Sequence, residues 1–250
     1  MTHQDPGLGR NRTGMQMSPL LSKEMMQNLN TFPWDAQTMS VEDPEKLEMD
    51  YLQTAHPIGS IPVPLTLKGM AMSGIDKLKG ARPEIFIDKL GERMAFERQG
   101  VRLYEALLRK CSAGSSSPAP VPVERLELIR QNELEHMFLI KATLENFGAD
   151  PTAQTPSADV VAVASMGLLQ VITDPRTSIR HSIEAIQVAE LTDRDGWNLL
   201  IELADALGED KLIAPFQKAL QEEDQHVHEV RTWLKNLTLM EAGVSAAATF

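Results

Sequence analysis

Two Glu-x-x-His pairs, Glu133-Leu-Glu-His136 and Glu223-Asp-Gln-His226, carry the most specific chemistry in this chain of 250 residues. Residues three apart on an α-helix share a face, so each pair offers one metal ion a carboxylate oxygen and an imidazole nitrogen together. A single pair reads equally well as a solvated surface pair. Position separates the two readings. The first pair lies on an apolar stripe with Leu126, Ile129, Ile140 and Leu144, and the second on one with Phe216, Ala219, Val230, Trp233 and Leu237. Stripes with this three- and four-residue spacing face a helical core.

Two more segments have the same periodicity. One runs Ile87, Leu90, Met94, Glu97, Val101, Tyr104, Leu108, and the other Ile179, Ile183, Ile186, Glu190, Asp193, Trp197, Leu200. A breaker-rich turn, Cys111 to Pro120, separates the first two helices in chain order. Ala206 to Asp210, with Gly208 placed as a C-terminal cap, separates the last two. In an antiparallel hairpin, residues equidistant from the turn lie opposite each other. Glu97 and Glu133 are centred on Ser115, and Glu190 and Glu223 on the turn at Ala206 to Gly208. Each Glu-x-x-His therefore faces a lone glutamate. Four carboxylates buried together are very costly unless protonated or neutralised, and two divalent cations neutralise them.

The connection from Phe147 to Pro175 is too long for a turn. It reads as a crossover containing a helix from Ala158 to Ile172, opened by Ser157 and closed by Asp174-Pro175. Short, long and short connections predict an all-α four-helix bundle with one long crossover between its second and third helices.

This pattern, over about residues 84 to 238, resembles the ferritin-like superfamily of di-iron carboxylate proteins, which uses one Glu from each of two helices and Glu-x-x-His from each of the other two. Two further details agree with bacterioferritin and rubrerythrin relatives: Tyr104 follows Glu97 by seven residues, and Glu190 precedes Glu223 by 33. The resemblance implies Glu97 and Glu190 as terminal ligands, Glu133 and Glu223 as bridging carboxylates, and His136 and His226 as ligands to one metal each. It implies two Fe ions per chain, with Mn the alternative, and oxidation of Fe(II) by O2 or H2O2 for iron or peroxide detoxification. It also implies a homo-oligomer, with a dimer favoured. Tyr104 is a hydrogen-bond partner of a bridging glutamate, an electron source, or a core tyrosine satisfied by any acceptor. Asp193 is an acceptor behind the ligands, a further ligand in one redox state, or a partly solvated residue beside Arg194.

The chain departs from those families too. It has no Cys-x-x-Cys module, so a rubrerythrin-like peroxidase would draw on an external electron donor. No clear fifth helix follows Leu237, unlike in cage-forming ferritins. Other readings stay open: a metal-stabilised structural or partner-binding protein acting through its N-terminal extension, or a di-metal oxygenase or catalase.

Residues 1–80 form that extension, Met- and Pro-rich and irregular, ahead of the bundle at 81–250; nine of the thirteen methionines lie in it. Ser22 to Asn30 reads as a short helix and His56 to Pro64 as extended chain. The net charge of -11 argues against nucleic acid and anionic membrane surfaces as partners. Cys111 is the single cysteine, which excludes an intrachain disulfide framework or a four-cysteine metal site. The longest nearly apolar run, Val160 to Leu169, is too short to span a bilayer, and the first twenty residues lack an apolar signal core, so a cytoplasmic protein is expected. Gly100, inside the first helix, reads as a close helix approach, an opening for oxygen or substrate beside Glu97, or a tolerated glycine. Trp197 and Trp233 read as core, and His181 and His228 as off the ligand stripe.

Overall fold

The computed structural model describes residues 19–31, 44–61, 82–113 and 121–244. Seven α-helices and no strand occur among them. The chain divides into two units, Met1–His56 and Pro57–Phe250.

The first unit contains α1 (Pro19–Thr31), which includes the helix expected over Ser22 to Asn30, and α2 (Pro44–Thr54), which the density of breakers had hidden. Pro44 opens α2, where a missing N–H is harmless, and Glu45 in its first turn suits the positive end of the helix dipole. Residues 55–61 form no regular element; residues 62–64 of the expected extended stretch lie outside the described residues. So do Met1, Met15, Met17, Met39, Met70 and Met72.

The second unit holds α3 (Pro83–Ala113), α4 (Val123–Asn146), α5 (Pro156–Thr173), α6 (Ile179–Leu207) and α7 (Asp210–Glu241). α3 packs on α4, α6 packs on α7, and the two pairs meet as α3 on α6 and α4 on α7. Residue pairs across each contact run in opposite directions. Arg93 meets Asp193 and Lys110 meets Ser182 between α3 and α6, while Arg125 meets Glu229 and His136 meets Glu222 between α4 and α7. The α6–α7 turn closes on Gly208, whose φ of 74° is the left-handed value glycine adopts without penalty. The α3–α4 turn lies outside the described residues.

Helix α5 is the crossover, and it lies on α3 and α6. It begins earlier than the sequence reading had it. Thr155, not Ser157, is its N-cap, with the Thr155 side chain accepting from the Ala158 N–H and Pro156 in the first turn. Ser157 instead gives its N–H (2.9 Å) and hydroxyl (2.6 Å) to the carboxylate of Asp88 on α3, which pins the start of the crossover. Lys110 pins the far end, donating to the Asp174 carbonyl at 3.0 Å and to Thr177 Oγ1 at 2.5 Å. The run from Val160 to Leu169 was expected to be too short for a bilayer. It belongs to an 18-residue helix that is long and apolar enough to cross one by length and composition, and only 17% of that window is buried. Val160, Val163 and Met166 are exposed on it.

The core explains why these helices come together. One apolar cluster gathers Leu103, Leu107, Leu126, Ile129, Ile183, Ile186, Val230 and Trp233. A second gathers Phe86, Leu90, Ile140, Leu144, Trp197, Leu200 and Phe216. On each of α3, α4, α6 and α7 one cluster lies above, and the other below, a short buried polar stretch. The site occupies that stretch.

Candidate metal centre

Six residues singled out by spacing lie in this polar layer, contributed by four helices: Glu97 on α3, Glu133 and His136 on α4, Glu190 on α6, Glu223 and His226 on α7. All are buried, none more than 2% exposed. The structure gathers them into two overlapping groups. One ligand atom from each of Glu133, Glu190, Glu223 and His226 lies within 4.8 Å of the others, and the same holds for Glu97, His136 and Glu223. A third group joins Glu97 and Glu133 to Asp193.

Glu223 divides its oxygens between the two histidines. Its Oε1 is 2.9 Å from His136 Nδ1, and its Oε2 is 3.3 Å from His226 Nδ1. Glu97 Oε2 stands 3.7 Å from His136 Nδ1. Glu133 Oε1 and Glu190 Oε2 stand 3.4 and 3.5 Å from His226 Nδ1. Both imidazoles thus turn Nδ1 inward and Nε2 outward. The outer nitrogens have different neighbours: Glu222 at 3.0 Å from His136, Asn132 at 3.2 Å from His226.

Such a gathering resists ionisation. Burial above all, with Asp193 and Glu133 next, pushes the Glu97 carboxyl well above the usual range. Burial and Glu223 do the same to Glu133, and burial and Asp193 to Glu223. Burial alone would keep His226 neutral, but the carboxyl groups of Glu133, Glu190 and Glu223 standing close to its Nδ1 outweigh it and raise its pKa. Without metal, Glu97, Glu133 and Glu223 therefore keep their protons to higher pH than free carboxyls do.

Buried polar atoms normally have partners, and here a concentrated set lacks hydrogen bonds: both oxygens of Glu97 and Glu223, Glu133 Oε1, Glu190 Oε2, Asp193 Oδ1, and Nδ1 of both histidines. Carboxylate oxygens and imidazole nitrogens converging in this way could hold a metal ion.

Several expectations change in detail. Tyr104 donates to Glu190, the glutamate that the resemblance makes terminal, not to a bridging one; α3 packs on α6 at this level, which brings the phenol there. Burial first, then Glu190, pushes its pKa well up, so the phenol keeps its proton. Asp193 is not partly solvated beside Arg194. It is 3% exposed and paired with Arg93, while Arg194 reaches Asp224 at 2.5 Å. Gly100 does mark a close approach, but to Glu133: a Cβ there would lie 2.0 Å from Glu133 Oε2. Trp197 is fully buried, its ring edge-on to His136 with centroids 5.4 Å apart, and Trp233 is a core residue. His228 is exposed. His181 forms a capping box with Ser178 at the start of α6.

Arg93, Asn132, Gly196 and Glu222 are the contributors that spacing did not reveal. Arg93 and Glu222 read as ordinary charged residues beside the stripe. A signal existed for Arg93, which sits four residues before Glu97 on the same helix face.

No family model, curated protein or solved structure matches the chain in comparisons with known proteins.

Proposed function

We propose that this chain is a ferritin-like dinuclear-iron protein that oxidises Fe(II) with O2 or H2O2. One observation carries the reading: two Glu-x-x-His pairs and two single glutamates, from four helices, converge their unpartnered ligand atoms on one layer around a shared Glu223.

In this reading Glu97 and His136 would hold one metal and Glu190 and His226 the other, with Glu133 and Glu223 available to both. Two Fe(II) ions held there would supply the two electrons that, with two protons, reduce one hydrogen peroxide to two waters. The chain's own residues do the rest. Glu222 and Asn132 fix the two imidazole rings from behind, and Tyr104 holds one oxygen of Glu190. The apolar clusters on either side exclude water from the layer. Carboxyl groups that hold protons in the metal-free chain release them as metal enters.

The test is the rise in Fe(III) absorbance after anaerobic Fe(II) loading and addition of H2O2 or air. The expected result is a protein-dependent rate that Glu133→Ala abolishes. A wild-type rate equal to that of Glu133→Ala would overturn the reading.

The complete burial of the cluster favours a second reading, in which the metals chiefly hold the four helices together. In that case metal loading raises the melting temperature as in the first reading, but no protein-dependent Fe(II) oxidation accompanies it.

A further inference from the structure

Arg93 is an anomaly at this site. An arginine only 3% exposed is costly to bury, and here it lies beside residues that would receive cations. Its surroundings are specific. Nη1 lies 2.8 Å from Asp193 Oδ1 and donates to the Asp193 carbonyl oxygen, also at 2.8 Å. Nε lies 3.5 Å from Glu97 Oε1, and the guanidinium carbon sits 4.7 Å from the Phe96 ring centroid. Room for it comes from Gly196 on α6, where a Cβ would lie 1.9 Å from Nη1. The guanidinium thus enters between α3 and α6 and reaches only the Glu97 side of the cluster.

Asp193 needs such a partner. It brings an oxygen within 4.8 Å of ligand atoms on Glu97 and Glu133, close enough to compete for a metal held there. Charge makes the same point. Glu97, Glu133, Glu190, Asp193 and Glu223 are five buried carboxylates, and Arg93 is the one buried guanidinium among the described residues. Fully ionised, the six groups sum to a charge that two divalent cations cancel; without Arg93 one carboxylate is left over.

We propose that Arg93 is a charge lock that holds Asp193 beside the metal pair but outside its coordination, leaving four carboxylates and two imidazoles as the ligands. This rests on the dinuclear reading above. Arg93 is in this sense a positioning residue, and it makes the two halves unequal: the Glu97 half carries the lock, while the Glu190 half carries the Tyr104 phenol. Removing the guanidinium frees Asp193 to bind the metal nearest Glu97, and only that one.

Co(II) is a suitable probe, because its visible ligand-field absorption weakens as its coordination number rises. Titration of the metal-free full chain with Co(II) is expected to end at two ions per chain. Arg93→Gln is expected to lower the absorption of about one of the two ions. Arg93→Gln/Asp193→Asn, which removes both charges together, is expected to restore the wild-type spectrum, and circular dichroism establishes that each variant is folded. If Arg93→Gln alone does not fold, the double variant still decides: an unchanged spectrum supports the lock, and a changed one shows that Asp193 was already a ligand and overturns it. An Arg93→Gln spectrum identical to wild type overturns it as well. Wild-type chain that binds no Co(II) pair overturns the dinuclear reading and the lock with it, whereas two bound ions with a changed double-variant spectrum overturn the lock alone.

Discussion

Glu222 stands 3.0 Å from Nε2 of His136, and this contact fixes which nitrogen of the ring is free. Burial works against ionisation of Glu222, but hydrogen bonds from His136 and Lys218 outweigh it and lower its pKa, so it is a carboxylate and only accepts. His136 then donates from Nε2, and in the neutral ring this puts the lone pair on Nδ1, which faces Glu223 at 2.9 Å. Asn132 gives His226 no such fixed instruction, since an amide presents either a donor or an acceptor. Glu222→Gln is therefore expected to weaken metal binding by about 10- to 100-fold. Competition against a chelator with Mn(II) measures it, and unchanged affinity would contradict this role for Glu222.

Gly100→Ala places a methyl group where Glu133 Oε2 now lies, 2.0 Å away. The carboxylate must move or the helices must part, at a cost of about 1–3 kcal/mol. Lower metal stoichiometry together with a lower melting temperature is the expected outcome. A variant with full metal content and wild-type stability would show that the α3–α4 approach is looser than described.

Tyr104→Phe removes the hydroxyl that donates to Glu190 and adds nothing. An intramolecular hydrogen bond contributes about 0.5–1.5 kcal/mol, so urea unfolding of the metal-free chain should register a loss of at least that order. No change in the midpoint would mean that the phenol is a passenger in the core.

The cluster also dictates how stability follows pH. In the metal-free folded chain Glu97, Glu133, Glu223 and His226 have raised pKa values, so folded protein holds protons that unfolded protein has lost. Stability therefore falls as pH rises. The carboxyl contribution is complete below about pH 4 and is lost as pH climbs through the raised values; that of His226 is complete below about pH 6.5 and is lost above it. Bound metal replaces those protons, so its stabilisation grows with pH. Calorimetry between pH 5 and 8 should show a falling melting temperature without metal and a widening increment with it. A rising metal-free melting temperature would contradict the assignment.

The sequence made much of this legible because four helices repeat one pattern. On α4 and α7 the stripes inferred from spacing coincide with the buried faces, Leu126 through Leu144 and Phe216 through Leu237. On α3 the stripe differs from the buried face, for Ile87, Val101 and Leu108 are only half-buried. α5 covers that helix in addition to α4 and α6, so Phe86, Phe96, Leu103 and Leu107 are buried as well. The six Glu and His positions could be placed because hairpin symmetry is arithmetic on residue numbers. Arg93 and Glu222 could not, since a charge next to an apolar stripe reads as the start of the solvated face. What buries Arg93 is the absence of a side chain at Gly196, about a hundred residues away, and local periodicity has no access to that.

Elemental analysis of protein expressed in iron- and manganese-supplemented medium, beside the Glu133→Ala/Glu223→Ala variant, tests the central claim most directly. The account predicts about two iron or manganese ions per chain in wild type, the number that four carboxylates and two imidazoles serve, and their loss in the variant. Wild type holding no more metal than the variant would contradict it.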